Sequence, residues 1–157
     1  MTKLGKWALT LLRLGLGSVF FYAGITKVID VDWSASGFLS SALTFPEFYD
    51  WLALSQNIGW VNELNQWGLT LIGASLILGI FVRFSSFSGI IIMLMYYFPG
   101  LEFPYVEHSY LVDNHIIYAL SLFVLIATNA GTYFGVDYFW PWNIRKRAEA
   151  KINKINY

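Results

Sequence analysis

Four apolar stretches, each bounded by charged or turn-forming residues, dominate the hydropathy pattern of the chain. The first covers residues 7–25, with Lys3 and Lys6 before it and Lys27 soon after. Its roughly 20 residues suffice to cross a hydrocarbon core about 30 Å thick at 1.5 Å per residue. A cleaved signal peptide is the rival reading. It calls for a shorter apolar part and a small-residue cleavage site, whereas Arg13 interrupts this stretch and no Ala-x-Ala end follows. The second and third stretches, residues 64–82 and 84–98, are joined only by Arg83 and its neighbours, which predicts an antiparallel hairpin. The fourth, residues 110–128, is polar at its start and apolar from Ile116 onward. The pattern predicts an all-α protein, an integral membrane four-helix bundle. Residues 1–142 form one domain and residues 143–157 a basic cytoplasmic tail.

The segments between the spans are aromatic. Between Trp33 and Trp60 lie Phe38, Phe45, Phe48, Tyr49 and Trp51, and Pro46 is placed to open a helical turn. These features predict short interfacial helices folded over the outer face of the bundle. The tryptophans read either as interface anchors or as a stacking site for a flat ring. Residues 133–142 have the same aromatic-belt character. Small-residue pairs, Ser75 with Gly79 and Ser85 with Gly89, mark faces where helices can approach closely.

Charge orients the bundle. In a four-span arrangement Lys3, Lys6, Arg13, Arg83, Arg145, Lys146, Arg147, Lys151 and Lys154 fall on or near one side, leaving only Lys27 opposite. Asp30, Asp32, Glu47, Asp50, Glu63, Glu102, Glu107 and Asp113 lie on the Lys27 side. Because cytoplasmic loops are enriched in Lys and Arg, both termini are expected in the cytoplasm. The expected location is a prokaryotic inner or plasma membrane, crossed several times. Composition agrees: 57% of the 157 residues are hydrophobic, 19% aromatic and 13% charged, whereas a soluble domain carries about a quarter charged residues. With zero formal net charge, nothing invites nucleic acid. The absence of cysteine removes disulfides, thiolate chemistry and cysteine-ligated iron–sulfur clusters.

Ionisable groups at membrane depth are the informative ones, because each is costly there. Arg13 either snorkels to the cytoplasmic surface or points inward to a partner. Arg83, in the tight inner turn, reads as a positive-inside anchor. At the outer end, Lys27 closes the first span while Asp113, Asn114 and His115 open the fourth. If those ends are neighbours, Lys27 and Asp113 form an ion pair. The plain reading is a cap and an ion pair; the functional one is a polar pocket for a quinone head group or small anion. In that pocket His115 is the proton-transfer candidate, since the reference pKa of histidine lies near neutrality. Lys27, Asp113 and His115 are therefore the candidate catalytic residues, and Trp67, Arg13 and Arg83 the candidate cofactor-binding ones. The two histidines, His108 and His115, lie about 10 Å apart on a straight helix and cannot both ligate one haem iron. No metal, haem or iron–sulfur cluster is expected.

One family shares this order of features. The first span reads Arg13-Leu-Gly-Leu-Gly-Ser-Val-Phe-Phe-Tyr-Ala-Gly-Ile-Thr-Lys27. Trp67-Gly-Leu-Thr-Leu-Ile-Gly73 and Leu78-Gly-Ile-Phe-Val-Arg83 follow, then Asp113-Asn-His115-Ile-Ile-Tyr118, Asn129-Ala-Gly131 and Gly135-Val-Asp137. In this the chain resembles the DoxD small subunits of thiosulfate:quinone oxidoreductase, within the broader DoxX-like group of four-helix membrane proteins. The resemblance implies electron transfer from thiosulfate to a membrane quinone, with a second protein subunit as partner. Two functions follow. One is a membrane subunit of a quinone-linked oxidoreductase. The other is a non-catalytic accessory subunit packed against a larger membrane complex.

Overall fold

The structure, a computed structural model, describes residues 1–106 and 109–139. The basic tail, the distal part of the 133–142 belt and the His108–His115 spacing lie outside the described residues. The described chain is mostly helical, with six α-helices: α1 Lys3–Ile29, α2 Ser36–Ser40, α3 Pro46–Ala53, α4 Ile58–Leu78, α5 Val82–Tyr97 and α6 Asn114–Ala127. Two segments, Lys3–Ile29 and Val82–Gly100, are long and apolar enough to cross a membrane. The polar first third of α4 dilutes its apolarity, and α6 is only 14 residues long.

Several boundaries differ from expectation for physical reasons. Helix α4 starts at Ile58 rather than at 64, because Asn62 and Glu63 interrupt the hydropathy but not the helix. Helix α6 starts at Asn114 rather than at 110, because the Asp113 carboxylate caps it by accepting the Ile116 N–H at 3.0 Å. Upstream, β1 Leu101–Glu102, β2 Tyr105–Val106 and β3 Ser109–Tyr110 form a small antiparallel sheet, which the hydropathy pattern did not announce.

The long helices pack in two antiparallel pairs, α1 on α4 and α5 on α6, around one apolar core containing Phe20, Leu69, Leu76 and Leu122. Glycine sets the first contact. A Cβ on Gly24 would collide with the Thr70 backbone, and one on Gly73 with the Phe21 backbone. Gly17 faces Ile77 in the same seam. The expected small-residue faces also meet partners: the Ser75 and Ser85 hydroxyls hydrogen-bond each other at 2.5 Å, and Gly89 abuts Leu122. Outward, the helices present Leu11, Leu71, Phe87 and Phe123, each more than half exposed.

The pairing defines a near end, where α1 and α5 begin and α4 and α6 finish, and a far end opposite. Over the far end fold α2 and α3, the short helices expected between Trp33 and Trp60. Pro46 stands at the start of α3. They carry their own buried cluster of Ala35, Leu39, Tyr49 and Leu52, packed on Val61 and Met95. The Tyr49 hydroxyl donates to the Met95 carbonyl at 3.1 Å. Burial pushes that phenol above its ordinary pKa, so it remains a donor.

The glycine seam makes a paired prediction. Gly24→Ala inserts a methyl into the Thr70 backbone, and overpacking of this kind costs about 1–3 kcal/mol. Gly15 is exposed on the same helix with open space around it. Gly15→Ala should gain up to about 1 kcal/mol from helix propensity. Thermal unfolding of detergent-solubilised protein should show a lower Tm for the first variant and an equal or higher Tm for the second.

Candidate functional site

Ionisable side chains gather at both ends of the bundle, and the two gatherings differ in kind. At the near end the centre is Arg13, 1% exposed. Its Nη1 donates to the Ala130 and Tyr133 carbonyls, both at 3.3 Å, and its Nη2 to the Phe134 carbonyl at 3.2 Å. Among the described residues its Nε has no acceptor. Asp137 lies within electrostatic reach. Its carboxylate accepts the backbone N–H groups of Phe81 at 2.8 Å and Val82 at 3.0 Å, capping α5. Gly79, at φ +70°, ends α4, and a Cβ there would run into the Arg13 guanidinium and Gly135. Phe81 and Phe134 both hold left-handed backbone, unfavourable for a bulky residue. The Asp137 and Arg13 bonds keep them there. Arg13 therefore points inward, and its partners are backbone carbonyls.

At the far end, Asp113 and His115 are brought together. The His115 Nδ1 and an Asp113 carboxylate oxygen are 2.5 Å apart, while the other oxygen caps α6. The Asp113 side chain is 8% exposed and that of His115 28%, so the imidazole is the accessible member. Lys27 does not join them. Its ammonium donates to the Ala23 carbonyl at 2.8 Å, one turn back on α1, and lies 5.4 Å from the centre of the Trp33 ring. The ion pair expected between Lys27 and Asp113 is replaced by the His115–Asp113 pair. A lysine on the last turn of a helix reaches its own carbonyls more easily than a neighbouring helix.

The His115 ring meets the edge of Tyr96 at a centroid distance of 5.8 Å. Tyr96 in turn lines a cavity of about 410 Å³ between the α2–α3 cover and helices α4 and α5. Its hydroxyl donates to Asn65 Oδ1 at 2.8 Å, and Asn65 lines the same cavity. Neither residue stood out in the sequence, because a tyrosine inside an aromatic run and an asparagine near a helix start carry no spacing signal. Trp67 is 47% exposed on α4 and does not line the cavity. Arg83 is exposed in the first turn of α5, and Arg13 is enclosed at the near end. The three cofactor-binding candidates are thus dispersed, while two of the three catalytic candidates form a pair.

The near-end clamp is testable by itself. Removing one partner of a buried charged cluster costs roughly 3–5 kcal/mol. Arg13→Gln should lower Tm strongly in mild detergent, and Asp137→Asn should do so by less, because an amide oxygen still accepts one N–H. An unchanged Tm for Arg13→Gln would mean that the three carbonyls find other donors.

Residues 8–99 match the profile of the DoxX family. The matched span carries α1 through α5, and with them Arg13, the glycines of the α1–α4 seam, Asn65 and Tyr96. Asp113, His115 and Asp137 lie beyond it. No curated protein and no solved structure matches the chain. The match takes in more than half of the sequence and three of the four paired long helices, so the chain belongs to the DoxX family.

Proposed function

We propose that this chain is a four-span membrane subunit of a quinone-linked oxidoreductase, with the Asp113–His115 pair serving proton transfer at the outer end. The membrane part of the reading is supported by the outward-facing side chains. An aqueous surface does not tolerate Leu11, Leu71, Phe87 and Phe123 on the long faces of a bundle, whereas lipid requires such groups. Charge supports the orientation. Lys3, Lys6, Arg13 and Arg83 are at the near end, which the positive-inside rule puts in the cytoplasm, with Lys27 and most acids at the far end. Among the described residues Asp137 is the acid that breaks this partition, and it does so within electrostatic reach of Arg13.

The observation that carries the chemistry is the 2.5 Å pair of His115 and Asp113 against Tyr96 at the far end. A quinone supplies two-electron chemistry that consumes two protons. The residues present suit such a ring: a carboxylate holds the imidazole, the imidazole is open to exchange, and Tyr96, against which it rests, lines an apolar cavity that His115 itself does not line. Asp113 fixes the orientation of His115, since its carboxylate is already held by the helix cap. Thiosulfate is the electron donor that the resemblance to DoxD subunits implies, and its oxidation belongs with a partner subunit.

Two measurements test this reading. His115→Ala should lower thiosulfate-dependent quinone reduction by at least about tenfold, a floor below the roughly 10²–10⁴-fold that a general acid–base group contributes. The Tm should stay near wild type, because Asp113 keeps its cap. Unchanged turnover, or no turnover by wild type with its natural partners, would favour the accessory-subunit reading. For orientation, a cysteine at Ser41, exposed in the far-end cover, should react with a membrane-impermeant maleimide on intact cells, and one at Lys3 only after lysis. The reverse pattern would invert the protein.

A further inference from the structure

We infer that the cavity beneath α2 and α3 binds a neutral one- or two-ring molecule bearing a hydrogen-bonding oxygen, anchored by Asn65 and Tyr96. The inference deepens the proposed function at the same end of the molecule. It relies on that reading only for the identity of the working end, since binding requires no electron transfer.

The chemistry of the wall makes the argument. The cavity, about 410 Å³, is in the size range of small-molecule sites. Phe38, Trp51 and Trp60 supply flat faces, and aliphatic side chains and Met95 fill most of the remainder. No lining side chain among the described residues is charged. A sulfur oxyanion would leave water without meeting a cation there, and an unpaired charge in such surroundings is strongly disfavoured. Lys27, the far-end cation, is turned to Ala23 and Trp33 instead. Polar recognition falls to one corner. Tyr96 gives its proton to Asn65 Oδ1, which leaves the Asn65 amide N–H groups and the Tyr96 oxygen lone pairs for a ligand. An amide donor beside a phenol oxygen suits a carbonyl or hydroxyl on a ring. A lipid acyl chain would use neither.

The cover fits the same role. The chain around α2 is tied down by the Ala35 N–H to Asn62 Oδ1 at 3.0 Å and the Leu43 N–H to the Pro99 carbonyl at 2.9 Å. This side of the cover is therefore built into the fold, and the Phe38 ring meets Tyr96 in a T-shaped contact at a centroid distance of 5.8 Å.

The test uses the full chain in phosphatidylcholine nanodiscs titrated with 6-bromo-2-naphthol, a neutral two-ring phenol that quenches tryptophan and cannot act as a quinone. Quenching should saturate in the wild type. The saturable part should vanish when Trp51 and Trp60 are both replaced by Phe. Tyr96→Phe and Asn65→Leu should each raise the apparent Kd roughly fivefold or more, about the worth of one hydrogen bond. Millimolar thiosulfate should not displace the probe. Equal, non-saturating quenching in all variants would overturn the inference, since the probe then only partitions into lipid. So would saturable binding that ignores Tyr96→Phe and Asn65→Leu but yields to oleate, the mark of an acyl-chain slot, or displacement by thiosulfate. Naphthol binding without quinone reduction would leave the site standing and remove the oxidoreductase reading. Turnover without the site would do the opposite.

Discussion

A buried guanidinium must be surrounded by acceptors, and the near end of this protein is organised by that demand. Arg13 sits within α1, and its three acceptors come from a segment more than a hundred residues later. Meeting them requires α4 to stop at a glycine that leaves room for the guanidinium. It also requires the chain after α6 to turn back across the bundle, and Asp137 to secure that turn on α5. The left-handed Phe81 and Phe134 are acceptable only because these bonds over-determine them. One side chain thus joins α1, the α4–α5 hairpin and the segment following α6.

The far end is built on a different principle. It is covered by short helices with a small core of their own, and its polar groups are paired in twos rather than gathered around one charge. Tyr96 with Asn65, His115 with Asp113 and Lys27 with Ala23 each leave hydrogen-bonding capacity unused. In the proposed reading, a densely bonded near end and a covered, partly engaged far end divide support from recognition. Binding sites are generally placed in this way, on loops and short elements carried by a stiff scaffold.

Much of this arrangement was legible in the chain. Long apolar runs announced the helices, an aspartate before an apolar run announced the α6 cap, and aromatic density announced the cover. What stayed hidden was hidden for physical reasons. Periodicity locates a helix but not the backbone carbonyls of an irregular turn, so the inward choice for Arg13 could not be separated from snorkelling. Gly17 and Gly24, seven apart, do lie on one helical face and were a usable signal for the α1–α4 seam. The serine–glycine pairs drew the reading instead, and they serve other contacts. The Lys27–Asp113 pairing failed because proximity of helix ends does not say which acceptor a flexible side chain takes. Asn65 and Tyr96 become a pair only when α4 and α5 are packed.

Helix lengths explain why an arginine is buried at that depth. At a rise of 1.5 Å per residue, the 27 residues of α1 span about 40 Å and the 14 of α6 about 21 Å. In the proposed four-span reading, α6 alone is too short for a hydrocarbon core about 30 Å thick, so the chain would leave helical geometry before leaving the membrane. Non-helical backbone at such depth is tolerated only if protein satisfies its polar groups. Arg13 donates to the carbonyls of Ala130, Tyr133 and Phe134 in the irregular stretch after α6; the first also takes the Tyr133 N–H and the second the Thr10 hydroxyl. Arg13 stands ten residues into α1, about 15 Å from its start, while α6 falls about 9 Å short of such a core. A neutral donor would satisfy one carbonyl; the guanidinium satisfies three. In the proposed four-span reading, the burial of one charge offsets the exposure of non-helical carbonyls to lipid, and a short helix can then complete the bundle.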